Sequence, residues 1–243
     1  MKLTTGFAGL LSVAPTVYAH YKWPAMIIKG QVTGDYQYVR ENTNNINPLL
    51  DLNSLDLRCN EGGLASASKT GTVTVSAGSK VGFTLSNSIG HIGPVLVYMA
   101  KAPGDPSQWD GSGEVWFKIN EWGPDFPGGS IQWPQLANDT SLTLPLGLMS
   151  YEFNIPAAVP SGTYLVRIEH IGVHNAANYG GAQFFVACGQ VEVVSGGSGQ
   201  PGPLVAFPGA YSNDDPGIYF NNYYPRPSRT LFPGHPSGPV KVR

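Results

Sequence analysis

The sequence predicts an all-β protein, an immunoglobulin-like or fibronectin-III-like β-sandwich with long loops. Three observations predict it. Short segments of alternating or continuous apolar residues recur along the chain, each of strand length. Gly (31) and Pro (21) are abundant and fall between these segments, where they mark turns. Only 12% of residues are charged against 42% hydrophobic, a composition that suits buried sheet faces better than solvated helices. With 243 residues, the chain has enough apolar surface for one domain with a sizeable core.

Taken in order, the first element is an address. Lys2 supplies a positive start, Gly6 to Val13 is short and apolar, and Val17-Tyr18-Ala19 places small residues three and one before a cut. Residues 1–19 are therefore predicted to be a secretory signal peptide, with cleavage between Ala19 and His20. The apolar run is too short to span a bilayer, and no later stretch is long enough to do so. Residues 20–243 are predicted to be a single domain. Val32 to Leu57 carries Asn, Asp and Tyr with little periodicity and is predicted to be loop. Strands are predicted at Thr72 to Val75, Val81 to Leu85, Pro94 to Met99, Val115 to Ile119, Ser141 to Leu144 and Tyr151 to Ile155. Thr163 to His170 and Gly181 to Val194 are the strongest segments. Ala77-Gly78, Pro103-Gly104, Pro127-Gly128-Gly129 and Pro160-Ser161-Gly162 supply the turns. From about residue 200 to 243 the chain is rich in Gly, Pro and Tyr, yet Val205-Ala206-Phe207 and Ile218-Tyr219-Phe220 are too apolar for a free tail. This segment is predicted to wrap back on the domain.

A formal net charge of −2 leaves no basic footprint for nucleic acid. The two cysteines, Cys59 and Cys188, allow one intramolecular pairing, which an oxidising compartment favours. Asn138-Asp139-Thr140 is a glycosylation sequon that would sit at the surface. Asp105, Asp110, Glu114, Glu121 and Asp125 cluster in one region, but their spacing singles out no pair for glycoside hydrolysis.

The five histidines are His20, His91, His170, His174 and His235. A histidine freed at the N-terminus offers an α-amine and an imidazole Nδ1 on one residue, and the two can chelate one metal. A second imidazole would complete three nitrogen ligands in a plane, a geometry suited to copper. His91 lies in Ser88-Ile89-Gly90-His91-Ile92-Gly93-Pro94, a glycine-flanked turn able to bring backbone close to a site. Read singly, His91 fits an ordinary loop histidine better than a ligand, His20 also fits a cut site without a role, and the residues alone do not decide between these readings.

Several motifs in order resemble one known family. They are His20 after the signal peptide, Gly90-His91-Ile92-Gly93-Pro94 followed by Val97-Tyr98-Met99, and Trp116-Phe117-Lys118-Ile119. Arg167 to His174, Gly181-Ala182-Gln183-Phe184, Phe207-Pro208-Gly209-Ala210-Tyr211 and Asp215-Pro216-Gly217-Ile218 follow. Together they resemble the fungal lytic polysaccharide monooxygenases of auxiliary activity family 9, formerly glycoside hydrolase family 61, from His20 to about Pro227.

The resemblance implies one copper per chain, held by the amine and Nδ1 of His20 and by Nε2 of His91. His174 and Gln183 match the family's histidine and glutamine beside the open coordination position. Gln183 and Phe185 lie two apart on a predicted strand and share one face. Where the family's motif runs Gln-Phe-Tyr, this chain has Gln183-Phe184-Phe185, so no hydroxyl is available at the axial position. The loops are expected to form a flat surface on which sugar rings stack, with Tyr211 matching a surface tyrosine and Tyr36 and Tyr38 as further candidates. His170 is expected to pack in the core, and His235 to take no chemical part. The implied activity is oxidative cleavage of cellulose or a related β-glucan at C1 and/or C4. It would use O2 or H2O2 and an external electron donor, either a small reductant or a redox protein. The protein would be secreted, monomeric and without nucleic-acid or membrane partners. A non-catalytic secreted protein that binds copper or carbohydrate is the alternative, and a hydrolase a third reading.

Overall fold

The structure, a computed structural model, describes residues 20–133, 148–225 and 227. The predicted signal peptide, the predicted strand Ser141 to Leu144, Asn138 and His235 lie outside the described residues.

Two sheets pack as a sandwich. The smaller joins β1 (Met26–Ile28), β2 (Gln31–Val32), β4 (Lys80–Thr84) and β7 (Ser150–Asn154) in the order β2-β1-β4-β7. The larger joins β3 (Val73–Ser76), β5 (Val95–Lys101), β6 (Trp116–Trp122), β8 (Gly162–Gly172) and β9 (Gln183–Val194) in the order β3-β9-β8-β5-β6. All pairings are antiparallel except β3 with β9.

Strand periodicity divides the larger sheet's side chains between two cores. Val95, Val97, Met99, Val166, Ile168 and Phe185 face the smaller sheet and meet Met26, Val81, Phe83 and Phe153. Leu96, Tyr98, Leu165, Phe184 and Cys188 face the other way. That second face is covered by loops rather than by a sheet. Val39 bridges to Gly189 and Leu49 to Phe184, so the aperiodic segment after β2 is pinned along β9. The disulfide Cys59–Cys188 ties the same segment to the same strand. From the other end of the chain, Val205 pairs with Trp116, while Phe207, Tyr211 and Ile218 are buried. β8 and β9 thus lie between two apolar layers, and their residues are buried on both faces almost throughout.

A buried polar cluster sits in the second core. Arg167 and Glu169 are both fully buried and pair at 2.8 Å. The Arg167 guanidinium also donates to the Leu57 carbonyl and lies 3.7 Å over the Phe207 ring. The Tyr211 hydroxyl donates to Glu169 and lies 3.2 Å from the Tyr98 hydroxyl. Each charge is met, as burial requires.

Candidate metal centre

Strand register brings the histidines together. In the β5–β8 ladder Val95 faces His170. The pairing continues past the strand end, because Val173 N–H donates to Ile92 O at 2.9 Å. His91 therefore falls opposite His174, and their rings stack at 3.8 Å between centroids. In the β8–β9 ladder Gly172 faces Gln183 and His170 faces Phe185. His91, His174, Gln183, His170 and Phe185 then share one face at one end of the larger sheet.

One glycine allows this arrangement, and a second marks its centre. A Cβ on Gly93 would stand 1.8 Å from Ile171 O, so only glycine lets the His91 turn lie against the end of β8. Gly172 lies where three side chains converge: a Cβ there would be 3.5 Å from His174 Nδ1, 3.5 Å from His91 Cβ and 3.6 Å from Gln183 Cβ.

His20 reaches the same place from the smaller sheet. Lys22 and Ser86 exchange hydrogen bonds, and Thr84 N–H donates to Ala25 O, so the segment 20–25 runs alongside the continuation of β4. Buried Tyr21 and Trp23 hold it down: Tyr21 stacks on Phe185 at 4.5 Å, and Trp23 Nε1 donates to Phe185 O. Asn87 donates to His20 O at 3.1 Å. The His20 ring then lies 5.6 Å from His91 and 5.8 Å from Phe185.

The electrostatics suit a cation. Burial, then His174, then His20, hold the His91 imidazole down to about 4, so it is neutral near pH 7 with a lone pair free. Burial, followed by His20, also lowers His174. His91 Nε2, His174 Nδ1 and Gln183 Oε1 are buried without a hydrogen-bond partner. Such orphaned atoms are costly unless another group satisfies them. Among the described residues no three His, Cys, Asp or Glu side chains converge as a metal site. The α-amine of a free His20 would add a third nitrogen that is not a side chain to the imidazoles of His20 and His91. The residues fit copper on that condition.

The remaining candidates are distributed unevenly. His170 is fully buried beneath the site, accepts a hydrogen bond from the Tyr21 hydroxyl at Nδ1, and is held down to about 3, chiefly by burial. Phe185 is 1% exposed and stands among the rings of His20, His91 and Tyr21. Tyr211 corrects an expectation: it is 6% exposed and no surface ring, because its hydroxyl is needed at the buried Glu169 carboxylate. Tyr36 and Tyr38 are half-buried. The Tyr36 hydroxyl donates to Asn42 while Lys22 lies over its ring, and Tyr38 packs on the core.

Exposed aromatic rings do occur near the histidines, at positions sequence reading passed over. Tyr179, on the turn between His174 and Gln183, meets Tyr219 edge to face at 5.6 Å. Tyr223 is 62% exposed and its hydroxyl donates to His174 O. Their signal was the repeated Tyr of the C-terminal segment, but nothing in the spacing told an outward ring from an inward one. The acidic cluster is occupied structurally. Asp105 accepts from Ser107 N–H, Asp110 pairs with Arg58 at 2.7 Å, and Glu121 pairs with Lys118 at 3.1 Å.

The model of Auxiliary Activity family 9, formerly GH61, matches residues 20–231. The chain is 48% identical over 225 residues to an AA9 family lytic polysaccharide monooxygenase C of Emericella nidulans, covering 92% of this chain and 93% of the relative. It is 46% identical over 233 residues to an AA9 family lytic polysaccharide monooxygenase H of Malbranchea cinnamomea, covering 94% and 96%. Among solved structures, a cellulose-active polysaccharide monooxygenase from M. thermophila superposes with a TM-score of 0.76 at 31% identity, covering 91% of this chain and all of that one.

Proposed function

The chain belongs to Auxiliary Activity family 9, and on that premise we propose that it is a secreted, copper-dependent lytic polysaccharide monooxygenase. It cleaves cellulose or a related β-glucan by oxidation at C1 and/or C4, with O2 or H2O2 and an external electron donor. The observation that carries the reading is the convergence of His20 and His91 on a spot where His91 Nε2, His174 Nδ1 and Gln183 Oε1 are buried without partners.

In this reading residues 1–19 are a signal peptide and residues 20–243 are one catalytic domain. The family match begins at residue 20, the predicted first residue after cleavage, which supports that division. The disulfide fits an oxidising compartment. No helix among the described residues is long and apolar enough to cross a membrane. Asn138 would carry glycan. His20 would hold copper through its amine and Nδ1, and His91 through Nε2. When bound, copper supplies the redox chemistry that lets an external electron donor and an oxidant cut a glycosidic bond. His174 and Gln183 orient the oxidant by hydrogen bonds, a positioning role. Phe185 would present an apolar ring, without a hydroxyl, beside the His20 and His91 rings that would hold the metal. Tyr36 and Tyr38 remain candidates for sugar stacking, joined by the exposed Tyr179, Tyr219 and Tyr223.

The test is a Cu(II) titration followed by electron paramagnetic resonance. Protein beginning at His20 should bind one copper with a signal from nitrogen ligands. A chain retaining Ala19, or a His91→Ala variant, should bind at least about a hundredfold more weakly, because a ligand is lost rather than its support. Equal binding by all three would sink the copper reading. Mass spectrometry for oxidised oligosaccharides, with reductant and peroxide, then separates an enzyme from a protein that only binds copper or carbohydrate.

A further inference from the structure

With His20 and His91 read as the copper ligands, we infer that His170 is a positioning residue: its buried imidazole ties the segment that begins at His20 to the turn that carries His91, and so sets the separation of the two ligand rings.

His170 is fully buried and belongs to neither segment. It lies on β8, four residues before His174, opposite Val95 of β5 and Phe185 of β9. One edge of its ring meets the first segment. Nδ1 accepts from the hydroxyl of Tyr21, the residue after His20. Tyr21 is 1% exposed and its ring stacks on Phe185, so that hydroxyl has little freedom.

The other edge meets the turn. Gly93 is two residues after His91, and a Cβ on it would stand 3.2 Å from His170 Nε2. Nε2 has no partner of full hydrogen-bond geometry. Burial is the main influence on the ring and disfavours a proton on it, while the Gly93 backbone acts the other way. A backbone group that favours a proton is an acceptor, the carbonyl. The proton of the neutral ring therefore belongs on Nε2 and the lone pair on Nδ1, where Tyr21 donates.

Packing alone does not call for an imidazole here. An aliphatic side chain would fill a core position without two nitrogens, and burying these is costly unless each faces a partner. The two partners come from the two segments that carry His20 and His91. Trp23 Nε1 anchors the first segment to β9, and the His170 ring touches both that segment and the His91 turn. Stacking lets rings slide, whereas a hydrogen bond fixes distance and angle. The His20 and His91 rings stand 5.6 Å apart, and a working ligand set holds its geometry to about 0.5 Å.

The test reads Cu(II) affinity and the Cu(II) resonance spectrum of protein beginning at His20. Tyr21→Phe removes one oxygen and with it the link. It should weaken Cu(II) binding about tenfold and change the copper hyperfine splitting. His170→Leu should weaken it about tenfold to a hundredfold. His170→Asn, which keeps an acceptor for the Tyr21 hydroxyl, should recover part of that loss. The double variant Tyr21→Phe, His170→Leu leaves no orphaned hydroxyl and should regain stability over His170→Leu, yet its spectrum should stay altered. Val166→Ala, an inner-core change on the same strand, should lower the melting temperature and leave the parent spectrum. Parent affinity and spectrum in Tyr21→Phe and His170→Leu would overturn the proposal. So would a double variant whose spectrum recovers along with its stability, or a Val166→Ala spectrum altered as much as theirs. Crystal structures of metal-free parent and Tyr21→Phe measure the ring separation directly. It should differ by about 0.5 Å or more, and an unchanged separation also overturns the proposal. If the parent takes up no copper, the copper reading fails while the metal-free comparison still decides what His170 holds, so the two claims fall separately.

Discussion

At the level of single residues, the site is made of groups that must stay neutral where they are. His91 is held at about 4 and His170 at about 3, each chiefly by burial, against an ordinary histidine value near 6.5. In the unfolded chain both return to that ordinary value. Between about pH 3 and 6.5 the unfolded state therefore binds more protons than the folded one, and stability rises with pH through that window. Above it the contribution is complete, and as pH falls through 6.5 it is progressively lost. Urea unfolding of metal-free protein at pH 4.5 and pH 7 should show the acid sample less stable by a few kcal/mol, an order-of-magnitude figure from two such shifts. His170→Asn removes one titrating group, so the difference between the two pH values should shrink relative to the parent. An unchanged difference would mean that carboxylates, not histidines, set the slope. Residues also show where sequence reading stops. His20, His91, His174 and Gln183 were legible because position, chain order and motif constrain them. Tyr211 was not, because the partner that draws it inward, Glu169, lies on a strand 42 residues away.

At the level of elements, what organises the site is the continuation of one ladder beyond its strands. β5 was legible from its continuous apolar run, and β8 and β9 as the strongest strand segments. β1 and β2 were not, since three and two residues carry too little periodicity to stand out. The loop segment after β2 was legible only as aperiodic, because its order comes from bridges to β9 rather than from its own pattern. The register places His91 opposite His174, but it holds only if the turn before β5 can approach β8 closely. Gly93 permits that approach, with φ at 154° and Ile171 O where a side chain would begin. Gly93→Ala should therefore cost about 3 kcal/mol or more, through backbone displacement and strain. It should also weaken Cu(II) binding by moving His91. Gly172→Ala meets its neighbours at 3.5 Å or beyond and has no such clash. It should keep the parent's thermal midpoint to within about two degrees. Comparing the two melting curves checks the argument, and equal losses would show that the close approach at Gly93 is not what the register needs.

At the level of the whole molecule, the larger sheet is covered on one face by a sheet and on the other by two long segments that have little structure of their own. Those segments need anchors, and the disulfide is the strongest of them. It joins Cys59 to Cys188 across a sequence separation of 129, and its neighbours are already fixed by Arg40 N–H on Cys188 O and by Asn60 Nδ2 on Val186 O. In the chain-entropy account a cross-link over so long a loop acts mainly on the unfolded ensemble, and contributes about 5 kcal/mol. Typical domains hold only about 5–15 kcal/mol in total. A Cys59→Ala, Cys188→Ala protein should therefore unfold at a much lower denaturant midpoint. Its histidines, however, stand on the opposite face of the larger sheet from the sulfur atoms: Cys188 belongs to the outer core, whereas Phe185 and Val95 belong to the inner one. Hydrogen bonds and bridges that hold the loop to β9 remain when the sulfurs are gone. Copper stoichiometry and the Cu(II) resonance spectrum should then match the parent at 25 °C, in spite of the lost stability. Denaturant titration beside a copper titration on the same variant measures both. A normal midpoint with an altered spectrum would reverse the assignment, making the cross-link a determinant of site geometry rather than of the unfolded chain.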